Sequence, residues 1–202
     1  MKCGGGGNMS DMVHRCVALS GLLAVALVAA APAAAVAQAP VAVMGDGFTT
    51  TLPGGWASHD YASVGGRAWG FASPGATTNK LATPSPGGIG VTAWVASASK
   101  VRHRLGSLPS NPVKLVAKLT GVPRGAKHVK VTSKPHASTL AGLKAGTMTF
   151  TYTLGTRSIV QGDVAVRRKG KLYEIELDVD AANATAGQAA LRSILAAWKF
   201  SD

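Results

Sequence analysis

The stretch that most limits what this chain can become is "TMTFTYTL", Thr147–Leu154. It alternates without a fault. Met148, Phe150, Tyr152 and Leu154 fall on one side and four threonines on the other, the period of a strand with two unlike faces. Ile159–Arg167 and Leu172–Val179 read as two further strands around "RKGK", a hairpin turn at Gly170. On the last of these, Tyr173, Ile175, Leu177 and Val179 face in, while Glu174, Glu176, Asp178 and Asp180 face out. Short turns between strands call for antiparallel pairing.

The rest of the exported part is compatible with one sheet. Phe48–Leu52 reads as a strand, Pro53–Gly55 as a turn, and Trp56 opens an irregular stretch through Tyr61. Arg67–Ala72 is a second strand and Ser73–Gly88 a long loop of turn formers. Ile89–Ala96 is apolar on both faces and therefore central. A helix spans Asn111–Thr120. Ser110 or Asn111 can cap it, Pro112 suits its first position, and Gly121 with Pro123 stops it. Lys114 and Lys118 lie one turn apart on its exposed face. In His128–Lys134, Val129 and Val131 face in and His128, Lys130 and Lys134 face out. A final helix, roughly 182–198, carries the stripe Leu191, Ile194, Leu195 and Trp198. The fold class is α+β, an antiparallel β-sheet flanked by helices.

Residues 1–37 read as an export signal. Lys2, His14 and Arg15 precede the apolar run Val17–Ala31, and Ala35–Ala37 offers small residues for cleavage before Gln38. An uncleaved anchor is the alternative, because no charge interrupts Cys16–Gly45. Residues 38–45 then form a leader or linker, and 46–202 one domain. Cleavage removes both cysteines, so neither a disulfide nor a thiol nucleophile remains. Localisation is extracellular, periplasmic or in the cell envelope.

Charge is sorted along the chain. The net charge is +12, and no acid stands between Asp60 and Asp163, an interval holding thirteen Lys and Arg. Such a field favours anionic partners without naming them. The candidate anion- or partner-binding residues are Lys100, Arg102, Arg104, Lys114, Lys118, His128, Lys130 and Lys134. Aromatics are absent from this region between Val95 and Thr149, and base-stacking modules interleave aromatics with cations, so nucleic acid is not the expected partner. Anionic envelope polymers, phospholipid head groups or an acidic protein fit better.

Catalytic signatures are thin. No nucleophile elbow, no metal-binding histidine pair and no phosphate loop occurs, and His59-Asp60 is the one local His–acid pair. Lysine-rich surroundings disfavour a metal at His103, His128 or His136. No cofactor is implied. Asp163 lies opposite Glu176 across the hairpin, and like charges facing each other need a positive group between them or solvent around them. Lysines of a neighbouring segment or plain solvation supply this, with a hard cation such as calcium as the alternative.

Three stretches together, "FTTTLPGGW", "LAGLKAGTMTFTYTLG" and "GKLYEIELDVD" followed by "LRSILAAWKF", resemble the PsbP-like superfamily. That superfamily includes the photosystem II extrinsic protein PsbP and a Ran-binding import factor. The resemblance covers roughly Asp46–Phe200 and implies an α-β-α sandwich. It also implies a non-catalytic role, either a binding module or an assembly or stability factor for a membrane protein complex. The short middle helix, the proline-rich loop and the basic charge depart from the family pattern, and no residue set carries the photosystem role over.

Overall fold

The computed structural model describes residues 38–63, 65–76 and 84–201. The expected signal segment 1–37 and the middle of the Ser73–Gly88 loop lie outside the described residues. The elements run β1 (Val41–Gly45), β2 (Phe48–Leu52), β3 (Ala57–Ser63), β4 (Gly66–Ala72), β5 (Ile89–Ser97), α1 (Ala98–Leu105) and α2 (Pro112–Leu119). They continue with β6 (Lys127–Leu140), β7 (Leu143–Leu154), β8 (Arg157–Arg168), β9 (Lys171–Asp180), α3 (Ala184–Ala196) and β10 (Lys199–Phe200). Among the described residues, no helix is long and apolar enough to cross a membrane.

Seven strands form one sheet in the order β3-β4-β5-β9-β8-β7-β6, every pair antiparallel. Three more, β1-β2-β10, form a small second sheet. The large sheet is covered on both sides. On one side α3 and the small sheet bury Val91, Ala93, Val95, Val164, Tyr173, Ile175, Leu177 and Val179. On the other, α1 and α2 bury Met148, Phe150, Tyr152, Ile159, Ala165 and Leu172. The architecture is the α+β sandwich expected from the sequence.

Phe48 joins the two sheets. Its ring is fully buried, stacks on Trp198 with centroids 4.2 Å apart and meets Trp69 edge-on at 5.1 Å. Beside it the Thr50 hydroxyl donates to the Ile194 carbonyl at 2.7 Å, tying β2 to α3. On the opposite side Asn111 caps α2, its side-chain oxygen accepting from the Val113 and Lys114 amides. Gly146 lets α2 approach β7: a Cβ there would meet the Pro112 carbonyl oxygen at 2.1 Å.

Several expectations are corrected. Val41–Gly45, read as leader or linker, is a strand paired with β2. The irregular stretch after Trp56 is β3, an edge strand with most of its residues exposed. The positive segment after Ile89–Ala96 is helix α1. β6 is far longer than His128–Lys134, lies at the other edge, and shifts register at three places against β7. Val129 and Val131, expected inside, are each about half exposed (50% and 49%), because no second layer reaches that end of the edge strand.

Phe48→Ala removes the ring that both sheets share. It is expected to cost about 3–5 kcal/mol in urea unfolding. Loss of less than about 1 kcal/mol would mean that Phe48 is not the joint.

Candidate functional site

Two sets of side chains stand out on the α1–α2 side: cations on the helices and carboxylates on the sheet beneath. The cations come first. Lys100, Arg102 and Arg104 lie exposed on α1, and Lys114 and Lys118 lie exposed on α2. Arg102, His103 and Arg104 occupy the last turn of α1 and Lys118 the last turn of α2, where the helix dipole favours positive charge. Among the described residues none of these five sequence-predicted cations makes an ion pair. His128, Lys130 and Lys134 are exposed on β6. Lys130 pairs with Thr151, so its side chain lies on the α3 side with the threonine stripe, away from the helices. The structure thus brings five of the eight predicted residues to one side of the sheet and puts Lys130 on the other.

The carboxylates were placed by sequence on a solvated face, and the structure corrects this. β9 is the middle strand of seven, and both of its faces are covered. Its odd positions enter the apolar core under α3. Its even positions, Glu174, Glu176 and Asp178, point under α1 and α2. Asp163 stands directly opposite Glu176, as expected. Asp163 and Asp178 have 0% and 2% exposure, while Glu174 and Glu176 keep some accessible surface. No lysine of the described residues sits among them.

What does sit among them is neutral. Tyr152 donates its hydroxyl to Asp178 at 3.0 Å. Gln161 donates its amide to both oxygens of Asp163, at 3.2 and 3.3 Å, and to the Gly121 carbonyl in the loop after α2. The Gln161 side-chain oxygen and the Thr92 hydroxyl are buried with no hydrogen bond. Thr92 lies directly opposite Glu176 on β5. Tyr61 reaches toward Thr92 from β3. At the far end Arg157 donates to Asp180 at 2.8 Å and to the Pro84 carbonyl, and Asp180 also accepts from the Gly87 amide.

Burial raises these acids. Desolvation lifts Asp163 to about 7 and Glu174 to about 8, with the Asp163 charge adding to Glu174. Glu176 is raised well above the carboxylate range by desolvation and then by Asp178 and Asp163. Asp178 is raised by desolvation, against the opposing pull of its hydrogen bonds with Glu176 and Tyr152 and of the Arg157 charge. Asp180 goes the other way, held low by the Arg157 hydrogen bond.

The local His–acid pair does not form. His59 and Asp60 are neighbours on β3 and point to opposite faces; Asp60 is paired with Arg67 instead. His59 shares a row with Thr92 and Glu176, but three strand spacings separate it from Glu176, roughly 14 Å. His136 is exposed on β6, its ring nitrogen 2.9 Å from the Lys134 carbonyl. Among the described residues, no three His, Cys, Asp or Glu side chains converge to hold a metal ion.

No protein-family model matches the chain, and no curated protein matches it. Solved structures do. LpqN, involved in cell envelope biogenesis of Mycobacterium tuberculosis, is 15% identical with a TM-score of 0.50, over 81% of this chain and 91% of that one. Cyanobacterial PsbP (CyanoP) from Synechocystis sp. PCC 6803 is 13% identical with a TM-score of 0.50, over 86% of this chain and 98% of that one. The chain has the fold of these proteins, which is the PsbP-like architecture that the sequence resemblance implied.

The buried acids give stability a definite pH dependence. Each raised carboxyl binds its proton more tightly in the folded than in the unfolded protein. Its contribution is full below the unfolded value near pH 4 and is lost as pH rises through about 7 for Asp163 and about 8 for Glu174. Urea unfolding is expected to show stability falling between pH 5 and 9, by up to about 1.4 kcal/mol per pH unit for each proton released. Glu174→Gln should flatten the upper part of that fall and leave the protein more stable than the native chain at pH 9. A native profile that is flat, or that rises, would contradict the buried placement.

Proposed function

We propose that this protein is an exported, non-catalytic binding module of the cell envelope, which holds an anionic surface through the cations of α1 and α2. The observation that carries the reading is the set Lys100, Arg102, Arg104, Lys114 and Lys118: exposed, unpaired among the described residues, and on one side of the sheet. His128, Lys130 and Lys134 on β6 would widen the basic region around the edge. Exposed cations free of partners keep their full attraction for a negatively charged polymer or head-group layer. LpqN, which shares the fold, is described as involved in cell envelope biogenesis, and this supports the location. A role as assembly or stability factor for a membrane protein complex is the second reading. It rests on PsbP, whose fold this chain shares.

The test is co-sedimentation of the full chain with vesicles of anionic phospholipid, and separately with anionic wall polymer, against neutral vesicles. Binding is expected at low salt and should fall steeply as ionic strength rises, because exposed charges are screened beyond about 10 Å at 0.1 M salt. Combining Lys114→Glu with Lys118→Glu should weaken binding at least tenfold without changing the unfolding midpoint. Failure to bind either anionic surface at low salt, together with capture of a protein partner by crosslinking in native envelopes, would move the assignment to the second reading.

A further inference from the structure

α3 packs chiefly on β9, β2 and β5, so the flank of the helix that carries Gln188, Leu191, Arg192 and Leu195 overhangs β8 and β7 without sealing onto them. These four recur at helical spacing and share one face. Between them and the sheet lies a cavity of about 190 Å³. Its apolar part is made by Val160, Val164 and Leu177 from the sheet and by Leu191 and Leu195 from the helix. Ser138, Thr147 and Thr149 border it on the β6–β7 side, while Gln188 and Arg192 stand exposed at its mouth.

Gly162 marks this space as more than loose packing. It lies on β8 between Val160 and Val164, with Thr149 directly opposite on β7 and Leu177 directly opposite on β9. Two other strand glycines are required by their neighbours: a Cβ at Gly146 would strike the Pro112 carbonyl, and one at Gly66 the Val95 carbonyl. Gly162 has no such reason. Its backbone is not left-handed, and a Cβ there would first meet Leu191 and Thr149 at 3.9 Å, an ordinary van der Waals distance. A β-branched residue would suit the strand better and would fill the cavity. Glycine inside a strand weakens it, and often marks a place where a ligand approaches the backbone.

The lining selects the kind of ligand. No acid borders the cavity, and among the described residues Arg192 makes no ion pair. A guanidinium holds a carboxylate through two parallel N–H bonds, and the Gln188 amide and the Ser138 and Thr149 hydroxyls are neutral donors beside it. The Thr147 hydroxyl is already given to the Asp163 carbonyl. One cation balances one negative charge. Size sets the remaining limit: a dry cavity of about 150 Å³ holds benzene, so this one has room for a single ring or a short branched chain and not for a long acyl tail.

We propose that the cavity under α3 binds a small carboxylate with a compact apolar body, the body seated over Gly162 and the carboxylate on Arg192. The site lies on the opposite side of the sheet from α1 and α2 and does not depend on the reading given to their cations.

Titration calorimetry of the full chain with sodium benzoate tests this, with benzyl alcohol and sodium acetate in parallel to supply the ring and the charge separately. Saturable benzoate binding is expected, at least tenfold tighter than either. Gly162→Val should abolish it while leaving the unfolding midpoint unchanged or raised. Arg192→Met should weaken it at least tenfold, and Lys114→Glu should leave it unchanged. Amide chemical shifts of Thr149, Gly162 and Leu191 should move when benzoate is added to the native chain, a readout that needs no variant. Absence of benzoate binding, acetate or benzyl alcohol binding as tightly as benzoate, or benzoate binding that survives Gly162→Val or leaves those shifts in place would each overturn the proposal.

Discussion

β9 is the constraint on which the molecule depends. It is the middle strand of seven, and a central strand covered on both faces has no solvated side on which to leave polar residues. Its odd residues are spent on the apolar core: Tyr173, Ile175, Leu177 and Val179 anchor the layer under α3 and the small sheet. Its even residues from Glu174 onward are acids, and the opposite layer has to accommodate them. That layer does so with neutral groups, Tyr152 and Gln161, and burial raises the acids' affinity for a proton. Buried carboxyls relieve the cost of desolvation by binding a proton more tightly, and desolvation raises all four of these.

The two layers divide the charge. On the α1–α2 side, cations occupy the outer surface of the helices and acids lie on the sheet beneath. Arg102, Arg104 and Lys118 sit in the last turns, where the helix dipole helps them, and no acid on either helix neutralises any of the five cations.

Much of this was legible in the sequence, and the failures have physical causes. The faultless alternation of Thr147–Leu154, the turn at Gly170 and the both-faced apolarity of Ile89–Ala96 carried the sheet and its centre, because packing on a face leaves a period of two. α2 was readable from its cap and its proline. β3 was not, since an edge strand such as Ala57–Ser63 has little apolar surface to bury. α1 was missed for a similar reason: only Ala98 and Val101 are buried, too few to show a helical period. The acidic row misled because polarity in alternate positions ordinarily means water, and the sequence does not reveal that a second layer lies over that face. The one signal was the pair Asp163 and Glu176, directly opposed like charges that an open sheet would not keep without compensation.

The register shifts of β6 have a consequence for how the protein behaves in company. A straight, regular rim of backbone donors and acceptors is a template onto which another chain can zip. β6 is long, half-apolar at Val129 and Val131, and uncovered, which would make it such a template. Its three breaks interrupt the even spacing of the free backbone groups, Pro135 withholds an N–H, and Lys130 and Lys134 add charge beside the valines. The rim therefore terminates the sheet instead of inviting its growth.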